Sequence, residues 1–276
     1  MSRPTTAMPA VVLATRPLGE ADLLVVLLTP EHGKVRAAAR SARKSKRRFA
    51  GGLTGGAVGN ATLAVRPRSL WRLDGFVPLS DHSAVGRDLT RFAYVAYLCE
   101  LTDVLVVEPE PDPQLFVALT GALGRTIGDT PDPAVLRWYE LALLGSLGLL
   151  PAWRDCAVCG QPVLSAPGRD TVRFDVRRGG VLCSVHGAGA GAGRGESERT
   201  TLYSAATVAM AAELTGSPAP PRWIGADADP PSAAVRRGLR DLLRDILRPH
   251  VRRPLRSLEF FAQLPPAPPS APKSGD

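Results

Sequence analysis

Four residues of this sequence have the types and spacing of a metal site. Cys156-x-x-Cys159 and Cys183-x-x-His186 are two tight ligand pairs with 23 residues between them. An x-x spacing lets one turn aim two soft donors at the same ion, and two such pairs complete the tetrahedron that Zn2+ prefers. Four protein ligands leave no open coordination position, so the expected role of the zinc is structural rather than catalytic. A zinc deaminase carries His-x-Glu together with Pro-Cys-x-x-Cys. Here no His-x-Glu occurs, and Asp155 precedes Cys156. A thioredoxin-like dithiol needs its Cys-x-x-Cys at a helix start within a βαβ pattern, whereas this pair follows a helical pattern and the turn at Pro151. The remaining cysteine, Cys99, lies in an apolar helical stripe and reads as an inert core thiol.

A second chemistry is written in the charge. Between His32 and Leu73 stand Lys34, Arg36, Arg40, Arg43, Lys44, Lys46, Arg47, Arg48, Arg66, Arg68 and Arg72, with no Asp or Glu among them. The chain carries +8 in all, so the rest of it sums to about −3. Solvated faces usually mix signs, and a segment of one sign points to a polyanionic partner. Ser41–Arg48 (SARKSKRR) holds too much like charge to collapse on itself but suits a phosphate backbone, and Gly51, Gly52, Gly55 and Gly56 follow it. The nearby aromatics are Phe49, Trp71 and Phe76. Few stacking platforms mean that backbone contacts dominate and sequence preference is weak; Phe76 reads as core, and Trp71 suits either role. No Gly-x4-Gly-Lys-Ser/Thr, Gly-x-Ser-x-Gly or His-Glu-x-x-His is present, which agrees with a binding protein and not an enzyme.

The elements that must position these residues fall into two groups. The runs 10–16, 21–29, 33–40, 58–66 and 70–78 are apolar or alternating and are broken by Pro17-Leu18-Gly19 and Pro30-Glu31-His32-Gly33. Five strands in this span fit a small antiparallel barrel with a basic loop after its third strand, consistent with an OB-fold, although an SH3-like barrel has similar signals. Beyond residue 80 the periodicity turns helical, at 85–106, 113–127, from the Asp129–Asp132 turn to Leu150, at 201–214 and at 233–248. The stretch Phe92–Gly124 has no Lys or Arg and reads as a solvated acidic turn or as a face for a basic partner. The last helix carries Arg236, Arg240, Arg244 and Arg248 opposite its leucines, as a nucleic-acid contact or as partners for Asp241 and Asp245.

The fold class is therefore α+β. Residues 1–8 form a disordered N-terminus and 9–80 an OB-fold DNA-binding domain; 81–264 form a helical domain with a zinc finger inserted at about 151–190, before a disordered tail at 265–276. No uncharged apolar run reaches membrane-span length, and MSRPTTAMPA lacks the apolar core of a signal peptide, so a cytoplasmic protein is expected.

In this order the elements resemble the bacterial RecO family of DNA repair proteins. The likeness is carried by VVLATRPLGEADLLVVLLTPEHGKVRAAARSARK, LTRFAYVAYLCELTDVLVVEPEPDPQLFVALTGAL, ELALLGSLGLLPAWRDCAVCG and RPLRSLEFF. The TPEHGK turn and the Leu-Gly-x-x-Pro approach to Cys-x-x-Cys-Gly are its most specific parts. The resemblance implies a recombination mediator that binds single- and double-stranded DNA and anneals complementary strands. It also implies action with RecR to place RecA on DNA coated by single-stranded DNA-binding protein, in association with the nucleoid. His186 departs from the family, which often has a fourth Cys there. The alternatives are an RNA- or ribosome-associated basic zinc protein and a nucleic-acid enzyme using catalytic zinc.

Overall fold

The structure is a computed structural model that describes residues 5–45, 47–49, 52–65, 70–79, 82–107, 109–165, 168, 170–188, 200–224, 230–261 and 263. Its N-terminal part is a closed five-stranded barrel of β1 (Thr6–Leu18), β2 (Asp22–Thr29), β3 (Gly33–Ala39), β4 (Val58–Ala64) and β5 (Trp71–Pro78). The strand order is β1-β2-β3-β5-β4, closed by antiparallel pairing of β4 with β1, and β3 meets β5 in parallel. This is the OB-like barrel expected from the strand and turn signals. The first strand starts earlier than the sequence implies: Thr6–Met8 pair with Ala61–Leu63, and Met8 is buried, because closing the barrel needs a long β1 that bonds on both sides.

Both faces of β1 and β2 are covered. Ala10, Val12, Val25 and Leu27 fill the barrel together with Phe49, Leu63, Leu73 and Phe76. Val11, Leu13, Val26 and Leu28 point the other way and join the core of the helical part. Alternate residues of a strand face opposite sides, so the uninterrupted apolar runs VVLA and LLVVLL signal a barrel wall that is also an interface. Cys99 lies at that interface, fully buried, with its thiol donating to the Val12 carbonyl. Burial pushes this thiol up to about 12, so alkylating reagents should leave Cys99 unmodified in the folded protein and modify it only after denaturation, as mass spectrometry of the labelled peptide will show. The β2–β3 turn docks on the same side. Gly33 has φ +59, and a Cβ there would stand 1.8 Å from the Glu110 carbonyl oxygen, so both its backbone angle and the close approach require glycine.

The helical part comprises α1 (Leu89–Leu105), α2 (Pro113–Gly128), α3 (Pro133–Ser146), the single-turn α4 (Ser184–Ala188), α5 (Ala205–Thr215), α6 (Ala233–Leu247) and α7 (Arg256–Phe261). Three aspartates start the first three helices. Asp88 accepts from Thr90 and Arg91, Asp112 from Leu115, and Asp132 from Ala134, with proline following the cap at α2 and α3. Asp132 is buried, and its other oxygen accepts the Trp223 and Ile224 backbone N–H groups at 2.6 and 2.9 Å, which ties a late loop to the bundle.

Two expectations are corrected here. The helix placed at 201–214 begins only at Ala205, because Thr200–Ser204 form a strand, β8, that pairs with β6 (Thr171–Asp175) in a sheet of order β7-β6-β8, where β7 is Gly180–Leu182. Only Tyr203 of this strand is buried, and pairing with β6 over five residues, not a local pattern, makes it a strand. Helix α3 stops at Ser146 instead of Leu150, where Gly148 takes φ +67.

Candidate metal centre and basic surface

The four predicted ligands converge. Cys156 and Cys159 sit in a knuckle whose turn is closed by the Gly160 N–H bonding the Cys156 carbonyl at 2.8 Å, with Gly160 at φ +71. The Ala157 N–H to the Val181 carbonyl, 2.9 Å, fastens this knuckle to β7. Cys183 follows β7 directly, and His186 projects from α4 one turn later. The donor atoms of all four residues lie within 4.8 Å of one another. Cys159 Sγ is 3.9 Å from Cys183 Sγ, Cys156 Sγ is 3.7 Å from His186 Nδ1, and Cys183 Sγ is 3.2 Å from the same nitrogen. Ligands about 2.3 Å from a tetrahedral zinc stand about 3.8 Å apart, so donor set and spacing both fit a closed metal site.

The electrostatics favour thiolates at Cys156 and Cys183, while the Cys159 thiol is held above its ordinary value. Burial works against the Cys156 thiolate, but hydrogen bonds from the backbone N–H groups of Cys183, Val158 and Cys159 outweigh it and bring the thiol down to about 6. The His186 backbone N–H does the same for Cys183, whose thiol is also lowered. The facing Cys183 and Cys156 sulfurs hold the His186 imidazole above its ordinary value. Backbone donors aimed at sulfur prepare thiolate ligands for a cation. The support is apolar, with Trp153 packed 5.9 Å from Phe174 and Val163, Val172 and Val181 buried beside them.

The basic residues are sorted by the structure into different roles. Arg36, Arg40, Arg43, Lys44, Arg47 and Arg48 are exposed on β3 and the loop after it. Lys46, Arg66 and Arg68 lie outside the described residues. Lys34 does not belong to the exposed set. It is buried, donates to the Asp103 carbonyl at 2.7 Å and faces the Asp103 carboxylate at 3.7 Å, so it fastens the barrel to α1. Arg72 is paired with Asp74 through two hydrogen bonds of 2.7 and 2.9 Å, which neutralises much of its field. The loop is also more ordered than its charge suggests: Arg43 donates to the Glu20 carbonyl, Arg48 donates to the Arg40 carbonyl and covers the Phe49 ring at 5.1 Å, and Phe49 plugs the barrel. Phe76 is core, as expected, and Trp71 packs against the barrel core with His32 on its edge.

The acids of α1, although they lie in a stretch that suits a solvated turn, are not left to solvent. Instead Asp103 receives Arg16 at 3.3 Å and Arg253 at 3.1 Å in addition to Lys34, and Glu100 accepts the Arg256 and Ser257 backbone N–H groups. Arg16 escaped notice because it falls in a strand pattern with no motif. Arg253 and Arg256 did carry a signal, the run of arginines after α6.

A closed OB-like barrel with a basic third-strand loop, followed by a helical region that carries a Cys3His cluster, defines an architecture of nucleic-acid metabolism. Residues 1–79 match the family model for the Recombination protein O N terminal region, and residues 86–259 match that for the Recombination protein O C terminal region. The chain is 36% identical over 260 residues to the DNA repair protein RecO of Anaeromyxobacter dehalogenans strain 2CP-C, covering 94% of this chain and 96% of that relative. It is 34% identical over 255 residues to the RecO of Myxococcus xanthus, covering 92% and 96% of the two chains, and 35% identical over 257 residues to that of Geobacter sulfurreducens, covering 93% and 97%. The chain belongs to the RecO family of DNA repair proteins.

Proposed function

We propose that this chain is a non-catalytic recombination mediator. It binds single- and double-stranded DNA, anneals complementary strands and acts with RecR to place RecA on DNA coated by single-stranded DNA-binding protein. The observation that carries the reading is the row of exposed cations on β3 and its loop, set on a barrel whose strand order is that of an OB-fold. Such a surface follows a phosphate backbone without reading bases. On this reading residues 9–80 are the DNA-binding domain and 81–264 its helical partner with the finger inserted. The finger's sheet extends past residue 190 to β8 at Thr200–Ser204. The working place is the cytoplasm, at the nucleoid.

We assign zinc to Cys156, Cys159, Cys183 and His186. Zinc there supplies cross-linking and no chemistry on substrate, since three thiolates and an imidazole complete its coordination. The protein's own contribution is to hold the two ligand pairs together through β7 and the Gly160 turn.

Changing Arg43, Lys44, Lys46, Arg47 and Arg48 together to alanine should weaken oligonucleotide binding on the order of a hundredfold at low salt, equally across sequences. The slope of log affinity against log salt should fall by about 0.7 for each single-strand phosphate that the altered loop no longer neutralises. Fluorescence anisotropy over a salt series measures both. Unchanged affinity and slope would remove the loop from the interface. An annealing assay on DNA coated with single-stranded DNA-binding protein tests the mediator role, and faster annealing of RNA than DNA would favour an RNA-associated protein instead.

A further inference from the structure

Between the barrel and the helices runs a cleft of about 1420 Å³, and Arg36 is the one cation of the basic segment that lines it among the described residues. One wall is the end of β1 and the returning limb of the basic loop, Gly52–Ala57; the other is α1 with α7. Four arginines line it, Arg16 and Arg36 from the barrel and Arg253 and Arg256 from the C-terminal segment, against two carboxylates, Glu100 and Asp103. Asp103 is already engaged by the buried Lys34 as well as by Arg16 and Arg253, so the cleft keeps a positive field. Arg16 and Arg253 remain about half exposed while they make these bonds, with side-chain exposures of 52% and 46%.

The same cleft carries a pair of rings. Phe92 of α1 and Phe260 of α7 lie 5.4 Å apart, tilted by 57°, and are 42% and 38% exposed. Large aromatics in a helical protein are ordinarily buried, and two that stay half-exposed side by side in a cationic cleft are placed to receive a flat apolar face. Next to Phe260 in the cleft wall, Ser257 is buried with its hydroxyl oxygen lacking any hydrogen-bond partner. A cluster of arginines, two of them meeting at one Asp103 oxygen, matches a phosphate, and a half-exposed aromatic pair matches an unstacked base beside it. A duplex offers phosphates but no free base faces. An acidic peptide would satisfy the arginines but brings no flat apolar face for Phe92 and Phe260.

We infer that this cleft is a single-strand site: a single-stranded nucleic acid passes from the basic loop between barrel and helices, its phosphates on Arg16, Arg36, Arg253 and Arg256 and a base against Phe92 and Phe260. The inference rests on the proposed DNA-binding function and gives it a strand preference. The cleft discriminates single strands from duplex, and the loop serves both.

The test uses the full-length, zinc-loaded chain with oligothymidylate and a duplex of equal length, read by fluorescence anisotropy. Phe92→Ala with Phe260→Ala should lower oligothymidylate affinity about tenfold or more and leave duplex affinity within about twofold. Phe92→Trp keeps the ring, so it should retain affinity and add tryptophan emission that oligothymidylate quenches. That variant supports or refutes the site even if the double alanine variant fails to fold. Photocrosslinking of oligothymidylate bearing 5-iodouracil should label peptides containing Phe92 or Phe260. Equal loss of single-strand and duplex binding, no quenching of the tryptophan, or crosslinks confined to the loop would overturn the cleft site while leaving DNA binding intact. Variants that stop binding an acidic peptide while still binding the oligonucleotide would also overturn it. If the unaltered protein binds neither oligonucleotide, the broader DNA-binding reading fails first.

Discussion

Stripping the metal with a chelator, or replacing Cys156 by serine, will unfold the segment between Pro151 and Ala188 and loosen the helical core beneath it. The ligand pairs come from two places 23 residues apart in the chain, and what joins them is slight: a three-residue strand, β7, one backbone bond from Ala157 to Val181 and the isolated bridge of Ala152 with Gly180. The link between the two ligand pairs therefore depends on the ion, although β6 is also held by β7 and β8, and structural zinc contributes about 10–16 kcal/mol of apparent free energy in small finger peptides. The effect here is smaller, because Trp153, Phe174 and Val181 also bury apolar surface in the core shared with the helices. A loss of about 4 kcal/mol would lower the Tm of a chain this size by about 10 °C. The measurements are zinc content by atomic emission, Tm by calorimetry and the emission of Trp153, which is nearly buried at 7% exposure. Release should become easier as pH falls, since protons compete with the ion for thiolates. Folded protein that purifies without stoichiometric metal and melts unchanged would show that the four residues no longer hold an ion.

Asp103→Ala should be the most damaging single change outside the metal centre. This carboxylate is 6% exposed and meets three cations: Lys34, itself 6% exposed, Arg16 and Arg253. They come from β3, β1 and the C-terminal segment, so one side chain on α1 joins three parts of the chain. Its removal takes from the buried Lys34 ammonium the carboxylate that faces it at 3.7 Å, and breaking a buried pair from one side costs up to about 3–5 kcal/mol. The two arginines are half-exposed and recover solvation, so most of the cost belongs to Lys34. Urea denaturation should report the drop. Lys34→Met combined with Asp103→Leu should recover part of it, because the pair is then removed together. If the double variant is as unstable as Asp103→Ala, the defect is one of packing and not of an unbalanced buried charge.

The asymmetry between what could be read early and late follows from physical range. Barrel strands, the Asp-Pro helix starts at Asp112 and Asp132, and the ligand pairs are local: each rests on spacing within a few residues, where backbone geometry leaves little choice. Even the misread strand at Thr200–Ser204 is instructive, since TLYS has no local preference strong enough to oppose the helix after it, and pairing with β6 decided it. The charge segment was legible as a sum but not in its parts. Lys34, Arg72 and the exposed loop arginines look alike in sequence, and only the placement of Asp103 and Asp74 separates a buried tether and a paired side chain from cations facing solvent.

By itself the sequence determined the Cys-x-x-Cys and Cys-x-x-His pairs that the fold brings together, the two-part α+β architecture, and the concentration of positive charge in the first third of the chain. The tertiary structure alone decided that both faces of β1 are buried, one in the barrel core and the other in the core of the helices, and that Arg16, Phe92, Arg253 and Phe260 meet across a cleft. Residues separated by more than 150 positions, as Arg253 and Glu100 are, become neighbours only through chain closure. That is a long-range event paid in entropy and stabilised by burial, and short-range patterns do not record it.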